Sequence, residues 1–331
     1  MRIREVGERR LIDFLLSFIN KQRKNLMNYD DVVAYSTSEA DALIVKTDSF
    51  VESTDLLPNM KPSQIGRKLV VMNVSDFAAK GVTPLGMLIS LSVPGDYDIE
   101  YLVEIYKGAE RTALEYGFDI MGGDTSYGKE LVLSGFLFGF QRKDRIVRRS
   151  GARVGDYVAT TGPFGDTSVA FSILFKGLEI PNKELKSRVF KSVYEPKARL
   201  KEGLALVEKR LITSSIDSSD GLAISLHEIA ESSNVKIVIE ELPFSQNLLE
   251  FCEYHELNPV KLALYEGGEE FELIVTVPPE LWESAREAVK KVGSELYYLG
   301  RVVKGKGVYL KVGERKVPIE RRGWEHFRGW V

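Results

Sequence analysis

Five acidic clusters, each beside glycine or small polar residues, carry the chemistry this chain could do: Asp30-Asp31, Thr47-Asp48, Ser75-Asp76, Gly122-Gly123-Asp124 and Asp217-Ser218-Ser219-Asp220-Gly221. They lie too far apart in sequence for one local turn, so only a fold can gather them. Carboxylates collected with no cationic cluster to answer them suit a hard divalent cation, because oxygen ligands fit Mg²⁺ and uncompensated buried carboxylates are costly. Mg²⁺ in turn usually accompanies phosphate. Any one cluster alone would serve as an ordinary surface turn; the five together point to metal.

Asp30-Asp31 precedes an apolar strand and Thr47-Asp48 lies within the next, so a paired register brings both to one end of a sheet. Asp76 and Asp124 would complete a carboxylate cage whose repulsion bound cations relieve. Thr47 offers a hydroxyl oxygen, although a strand threonine can equally be structural. Residues 122–126 combine permissive backbone, an acid and two hydroxyls, which lets N–H groups approach phosphate; the same string would make a plain turn. Asp217 and Asp220 bracket two serines ahead of a helical run, with Ser219 or Asp220 placed to cap it and the helix N-terminus suited to an anion. Arg149 stands in a basic run and suits either a phosphate or base-stacking contact or plain solvation. Near the end, Trp324, His326 and Phe327 either dock the tail or let a planar ligand stack on Trp324. No GxxxxGK[ST] loop and no HRD or DFG set occurs, so an ATP site here needs another design. His227, His255 and His326 have no paired spacing, and neither a zinc site nor a Ser/His/Asp triad is expected.

The elements that must position these groups follow from apolar periodicity. An amphipathic helix is predicted from Leu11 to near Asn25, then strands at 31–35 and 42–51, a helix at 62–80, a strand at 85–93, a helix at 99–116 and a buried strand at 131–140. A basic stretch, 142–153, reads as a linker ending at Gly155. Beyond it come a strand from Tyr157, a turn at 161–165, helices at 167–175, 196–209 and 220–232, and strands at 236–240, 272–277, 296–303 and 308–312. The expectation is a mixed α+β (α/β) fold of two domains, residues 1–145 and 146–331. One echo suggests two related halves: Gly122-Gly123-Asp124 follows Ser75-Asp76 by 48 residues, and Gly267-Gly268-Glu269 follows Ser219-Asp220 by 49.

At 331 residues and 44% hydrophobic content the chain can build two cores. Its 45 Lys+Arg nearly balance 48 Asp+Glu, a net charge of −3 that gives no footprint for nucleic acid. The lone Cys252 excludes an intramolecular disulfide and a CxxC metal site, and no secretory n-region is seen, so a cytoplasmic protein is expected. Apolar runs such as 84–94 and 131–140 are shorter than the roughly 18 residues a membrane-spanning helix needs, and no membrane partner is expected.

The ordered set of motifs resembles the thiamine-monophosphate kinase family, within the superfamily that also holds aminoimidazole ribonucleotide synthetase and selenophosphate synthetase. The likeness runs almost end to end: Asp30-Asp31, Lys46-Thr47-Asp48 with Phe50-Val51-Glu52, Ile65-Gly66-Arg67-Lys68, residues 73–81, Gly122-Gly123-Asp124-Thr125, Arg149-Ser150-Gly151-Ala152 with Gly155-Asp156, residues 217–222, residues 267–273 and Gly323-Trp324-Glu325-His326-Phe327. The closing Gly-Trp-x-His-Phe favours the thiamine enzymes over their relatives. The resemblance implies a homodimer whose N-terminal sheets join into a shared barrel, with the active site in a cleft near the interface. It implies transfer of the ATP γ-phosphoryl to thiamine monophosphate, giving thiamine diphosphate and ADP. Asp31, Thr47, Asp48, Asp76, Asp124, Asp217 and Asp220, with Asp30 beside them, would hold several Mg²⁺ ions. Asp76, Asp124 and Asp217 would be central to catalysis. Gly123, Asp124, Arg149, Ser219 and Tyr106 would contact ATP, and Asp55, Glu269 and Trp324 would meet thiamine monophosphate.

Some positions depart from the family pattern. Tyr29 replaces the usual glycine before Asp30-Asp31, Thr54-Asp55 stands where the family writes His-Phe, and Glu270 and Phe271 replace Asp and Tyr. Asp55 therefore bears on substrate preference. Selenophosphate synthetase would want a reactive cysteine near the N-terminus, and a hydrogenase-maturation carbamoyl dehydratase would want one at the C-terminus, where Gly329-Trp330-Val331 stands. Remaining alternatives are an aminoimidazole ribonucleotide synthetase-like enzyme and a non-catalytic nucleotide or thiamine-phosphate binder. Asp76→Ala or Asp124→Ala is expected to abolish phosphoryl transfer and leave the circular dichroism spectrum unchanged; near-normal turnover in either variant contradicts the metal assignment.

Overall fold

A 19-residue helix, Pro62–Lys80, is the element on which both halves of the protein are built. Pro62 opens it where no intrahelical N–H is needed, and the Gln64 side chain accepts from the Lys61 N–H at 2.9 Å. Gly81 closes it in the left-handed conformation at φ 57°, which glycine adopts without strain. Ile65, Leu69, Val70, Val71, Val74 and Phe77 are all inaccessible and no residue of the helix is exposed, although it also carries Lys68, Asp76 and Lys80. The computed structural model describes residues 2–19, 25–27, 29–325, 327 and 329–330.

The N-terminal sheet contains β1 (Val33–Ser36), β2 (Asp41–Val51), β3 (Pro84–Val93), β4 (Asp119–Tyr127) and β5 (Val132–Arg142), in the order β1-β2-β5-β3-β4. All pairs are antiparallel except β3 with β4, which the helix Ile99–Glu115 joins as a parallel crossover. One face of this sheet packs on the central helix. The other face exposes Leu85, Leu88, Phe136 and Phe140, and the edge strand β4 adds exposed Met121 and Tyr127.

The C-terminal half holds β6 (Tyr157–Thr160), β7 (Ser214–Asp217), β8 (Lys236–Ile239), β9 (Leu273–Val277), β10 (Tyr297–Val303), β11 (Gly307–Val312) and β12 (Arg315–Pro318), in the order β12-β11-β8-β10-β6-β9-β7. The central helix reaches this half through β7, β9 and the helix Leu200–Glu208. Glycines let helices pack closely on it, Gly203 at the helix Leu200–Glu208 and Gly66 with Gly108 at the helix Ile99–Glu115 of the N-terminal half. A Cβ on Gly66 would lie 1.9 Å from the Ile105 carbonyl oxygen, one on Gly108 2.0 Å from that of Ser63, and one on Gly203 1.9 Å from that of Ala78.

Several sequence expectations change. Gly122-Gly123-Asp124 lies within the edge strand β4, where a Cβ on Gly123 would strike the Ile89 carbonyl oxygen at 1.7 Å; it is neither a turn nor a phosphate loop of helix-entry type. The helix Leu222–Ser232 begins after Gly221 with no side-chain cap, so Ser219 and Asp220 are not its caps. In the N-terminal segment the described helices are Ile3–Val6 and Glu8–Leu16, and Asn25 bridges to Tyr35 instead of ending a helix; residues 20–24 and His326 lie outside the described residues. The echo of two halves also fails. Ser75-Asp76 is inside a helix while Ser219-Asp220 is in a loop, Gly123 is in a strand while Gly268 is in a loop, and the two strand orders differ.

Candidate active site

The two halves enclose a cavity of about 1360 Å³. Period-two alternation puts Lys46 and Asp48 on the face of β2 that meets the central helix. The helix contributes Asp76 and Lys68, and the end of β7 contributes Asp217, followed by the loop that holds Ser219 and Asp220. Arg149, Glu269 and Trp324 also line it.

At the core of the site Asp31, Asp76 and Asp217 each place a carboxylate oxygen within 4.8 Å of the other two. Asp31 comes from the loop before β1, Asp76 from the central helix and Asp217 from the end of β7, and all three residues are buried. Ser75 Oγ donates to Asp217 Oδ2 at 2.6 Å. Burial pushes the Asp217 carboxyl up to about 6, with Asp31 adding repulsion. Burial also holds Asp76 well above the usual carboxylate range, against the pull of Lys46 and with Asp217, Asp48 and Asp31 adding to it. Asp31 goes the other way: burial opposes its charge, but Arg149 and Lys80 outweigh that and hold it low. Buried oxygen donors that resist sharing negative charge fit a divalent cation.

The sequence showed no cationic cluster answering these acids, and here the structure corrects the reading. Lys46 Nζ lies 2.9 Å from Asp76 and 3.7 Å from Asp48. Lys80, almost wholly buried, pairs with Asp30 at 2.6 Å and Asp31 at 2.8 Å and donates to the Ser215 carbonyl at 2.8 Å. Arg149 pairs with Asp31, and its N–H donates to Asp30 Oδ2 at 3.0 Å. The signal lay in spacing: Lys46 and Asp48 share a strand face at i, i+2, and Asp76 and Lys80 share a helix face at i, i+4.

A second end of the cavity is set by Lys68, whose Nζ meets Glu269 Oε1 at 2.8 Å and donates to the Asp55 carbonyl at 3.2 Å. The Asp55 carboxylate accepts from the Val51 N–H at 2.6 Å, and burial raises its pKa. Glu269 is held at φ 59°, with its N–H bonded to the Ser219 carbonyl at 2.6 Å. Trp324, half-buried, is anchored through its N–H to the Asp220 carbonyl at 3.2 Å. The N-terminal helix Glu8–Leu16 lines the mouth with Arg9 and Ile12; Arg9 pairs with Glu231 at 2.8 Å.

The remaining candidates lie elsewhere. Thr47, Gly123 and Asp124 line a separate pocket of about 390 Å³ with Leu88 and Phe136, on the sheet face turned away from the central helix. Neighbouring residues of one strand point to opposite faces, so Thr47 and Asp48 cannot share a cavity within one chain. Tyr106 is half-buried against the core and lines neither cavity.

Two halves of mixed sheet and helix clasping an acid-lined cleft define the class. A family model described as the N-terminal domain of AIR synthase related protein matches residues 29–141, and its C-terminal counterpart matches residues 153–313. Thiamine-monophosphate kinase of Nitrosopumilus maritimus is 38% identical over 304 residues, covering 91% of this chain and 94% of the relative. That of Pyrococcus horikoshii is 39% identical over 289 residues, 87% of each. The solved structure of AaThiL complexed with AMPPCP and TMP superposes with a TM-score of 0.84 at 31% identity, over 98% of this chain and 99% of that one. The chain belongs to the thiamine-monophosphate kinase family.

Glu270 lies under the loop that presents Glu269. Its Oε1 accepts from the Gly165 N–H at 3.2 Å, and burial pushes its carboxyl up to about 8. Because its native pKa exceeds the unfolded one, the folded protein binds the extra proton and stability falls as pH rises between about 4.5 and about 8. Glu270→Gln, which keeps the shape without the charge, is expected to flatten that slope by on the order of a few kcal/mol across the window. Urea unfolding at several pH values measures it; an unchanged slope contradicts the assignment.

Proposed function

We propose that the protein phosphorylates thiamine monophosphate to thiamine diphosphate at the expense of ATP. The carrying observation is that Asp76 and Asp217, which line the cavity that also holds Glu269 and Trp324, meet the buried Asp31 in one carboxylate triad. Family membership and the AMPPCP and TMP of the solved relative, read as an ATP analogue and thiamine monophosphate, support the same reading.

In this reading Asp31, Asp76 and Asp217, with Asp48 and Asp220 at the cavity wall, hold Mg²⁺. When bound, Mg²⁺ neutralises phosphate charge and lets two polyanions approach. Asp30 is committed to Lys80 and the Arg149 backbone, so it acts by holding its neighbour Asp31 in place. Arg149 and Ser219 serve the nucleotide. Glu269 pairs with the cationic thiazolium or the aminopyrimidine, Trp324 stacks on a ring, and Asp55 shapes that end beneath Lys68. A phosphate monoester is already nucleophilic at neutral pH, so no side chain needs to act as a strong base; positioning and charge stabilisation carry the reaction.

Thr47, Gly123 and Asp124 enter this scheme through a second copy of the chain. The sheet face around them exposes Leu88, Phe136 and Phe140, and β4 leaves its outer edge unpaired among the described residues. Such a face and edge favour association of two N-terminal sheets into a barrel-like homodimer. Tyr106 is assigned to ATP by the family resemblance alone. Residues 1–145 would then bind metal and nucleotide and dimerise, and residues 146–331 would add phosphate and substrate contacts. A cytoplasmic setting accords with a single, buried, unpaired cysteine, and no helix among the described residues is long and apolar enough to cross a membrane.

Incubation with ATP, Mg²⁺ and thiamine monophosphate, with thiamine and formylglycinamidine ribonucleotide as parallel acceptors, tests the reading by chromatography. Thiamine diphosphate is expected from the monophosphate alone. ATP binding without any such product contradicts the proposal.

A further inference from the structure

We propose that Lys46 is a built-in counter-ion that competes with the divalent cation for Asp76 and so sets how tightly the acid triad binds metal. The inference rests on the reading of Asp31, Asp76 and Asp217 as the metal-holding residues. Each member of the triad has a different engagement. Asp31 is tied to Lys80 and Arg149, Asp217 takes the Ser75 hydroxyl, and Asp76 is paired with Lys46 at 2.9 Å.

Two ammonium groups attend the acids, and they differ in freedom. Lys80 is 1% exposed and donates to the Ser215 carbonyl as well as meeting Asp30 and Asp31, so withdrawing it would strand buried charges. The Lys46 side chain is 21% exposed and faces the large cavity. Its four-carbon stem lets the charge leave Asp76 for solvent with little desolvation cost. A cation drawing on the Asp76 carboxylate would meet the Lys46 charge at contact range, so filling the triad requires Lys46 to let go. The pair strength is thereby subtracted from the metal affinity.

Mn²⁺ titration followed by electron paramagnetic resonance, on the full chain without nucleotide, tests this. Lys46→Met is expected to bind Mn²⁺ about tenfold more tightly than the unmodified protein, the order of effect found for close charge pairs, and to melt at lower temperature without metal. Arg9→Met removes a cation from the mouth of the same cavity without touching the triad, and is expected to leave affinity unchanged. Equal or weaker binding by Lys46→Met overturns the proposal while the metal reading stands. A matching gain in Arg9→Met also overturns it, by showing only a long-range field. Absence of Mn²⁺ binding in both the unmodified protein and Lys46→Met overturns the metal reading itself and this inference with it. Should Lys46→Met not fold, the unmodified protein decides: Mg²⁺ is expected to speed acetylation of the Lys46 amine as read by mass spectrometry, and an unchanged rate overturns the competition.

Discussion

Burial of charge on a helix that two domains share is the constraint around which this protein is organised. The helix Pro62–Lys80 has no solvent face, yet it carries Lys68, Asp76 and Lys80. Charged groups so placed are costly unless each is answered. Their partners come from the N-terminal sheet, the loop before it, and the C-terminal half. Docking of the two halves therefore completes the electrostatics, and no half could hold these groups alone. The close approach at Gly203 serves that docking, and those at Gly66 and Gly108 seat the helix Ile99–Glu115 on the same central helix.

Compensation is deliberately partial in effect. Asp30, Asp31, Asp48, Asp76 and Asp217 surround Lys46, Lys80 and Arg149, so negative charge is in excess. The strain collects on Asp76 and Asp217, whose carboxyls are raised, while Asp31 is held charged by two cations. In the proposed metal reading, a cation would find one acid already charged and would relieve the other two. A purely structural ion-pair network would have no reason to leave that imbalance facing a cavity of about 1360 Å³.

Much of the fold was legible. The central helix is bounded by Pro62 and Gly81, residues with fixed backbone consequences, and its predicted limits match those observed. The strands β2, β3 and β5 are long apolar runs and were placed within one or two residues. The edge strand β4 escaped notice because Gly122, Gly123 and Asp124 are poor strand formers, and only the close packing against Ile89 explains them. At the site, the acids announced themselves through small flanking residues. Lys46 and Lys80 did not, since a lysine near an aspartate reads as a solvated pair until burial is known. Nor could sequence tell that Asp124 faces away from Asp76: that depends on which side of the sheet the central helix covers.

Anomalous scattering from Mn²⁺ in crystals grown with AMPPCP addresses the central claim most directly. A peak bounded by the carboxylates of Asp31, Asp76 and Asp217 is the predicted result. A peak elsewhere, with that triad unoccupied and Asp76 still paired to Lys46, would contradict it.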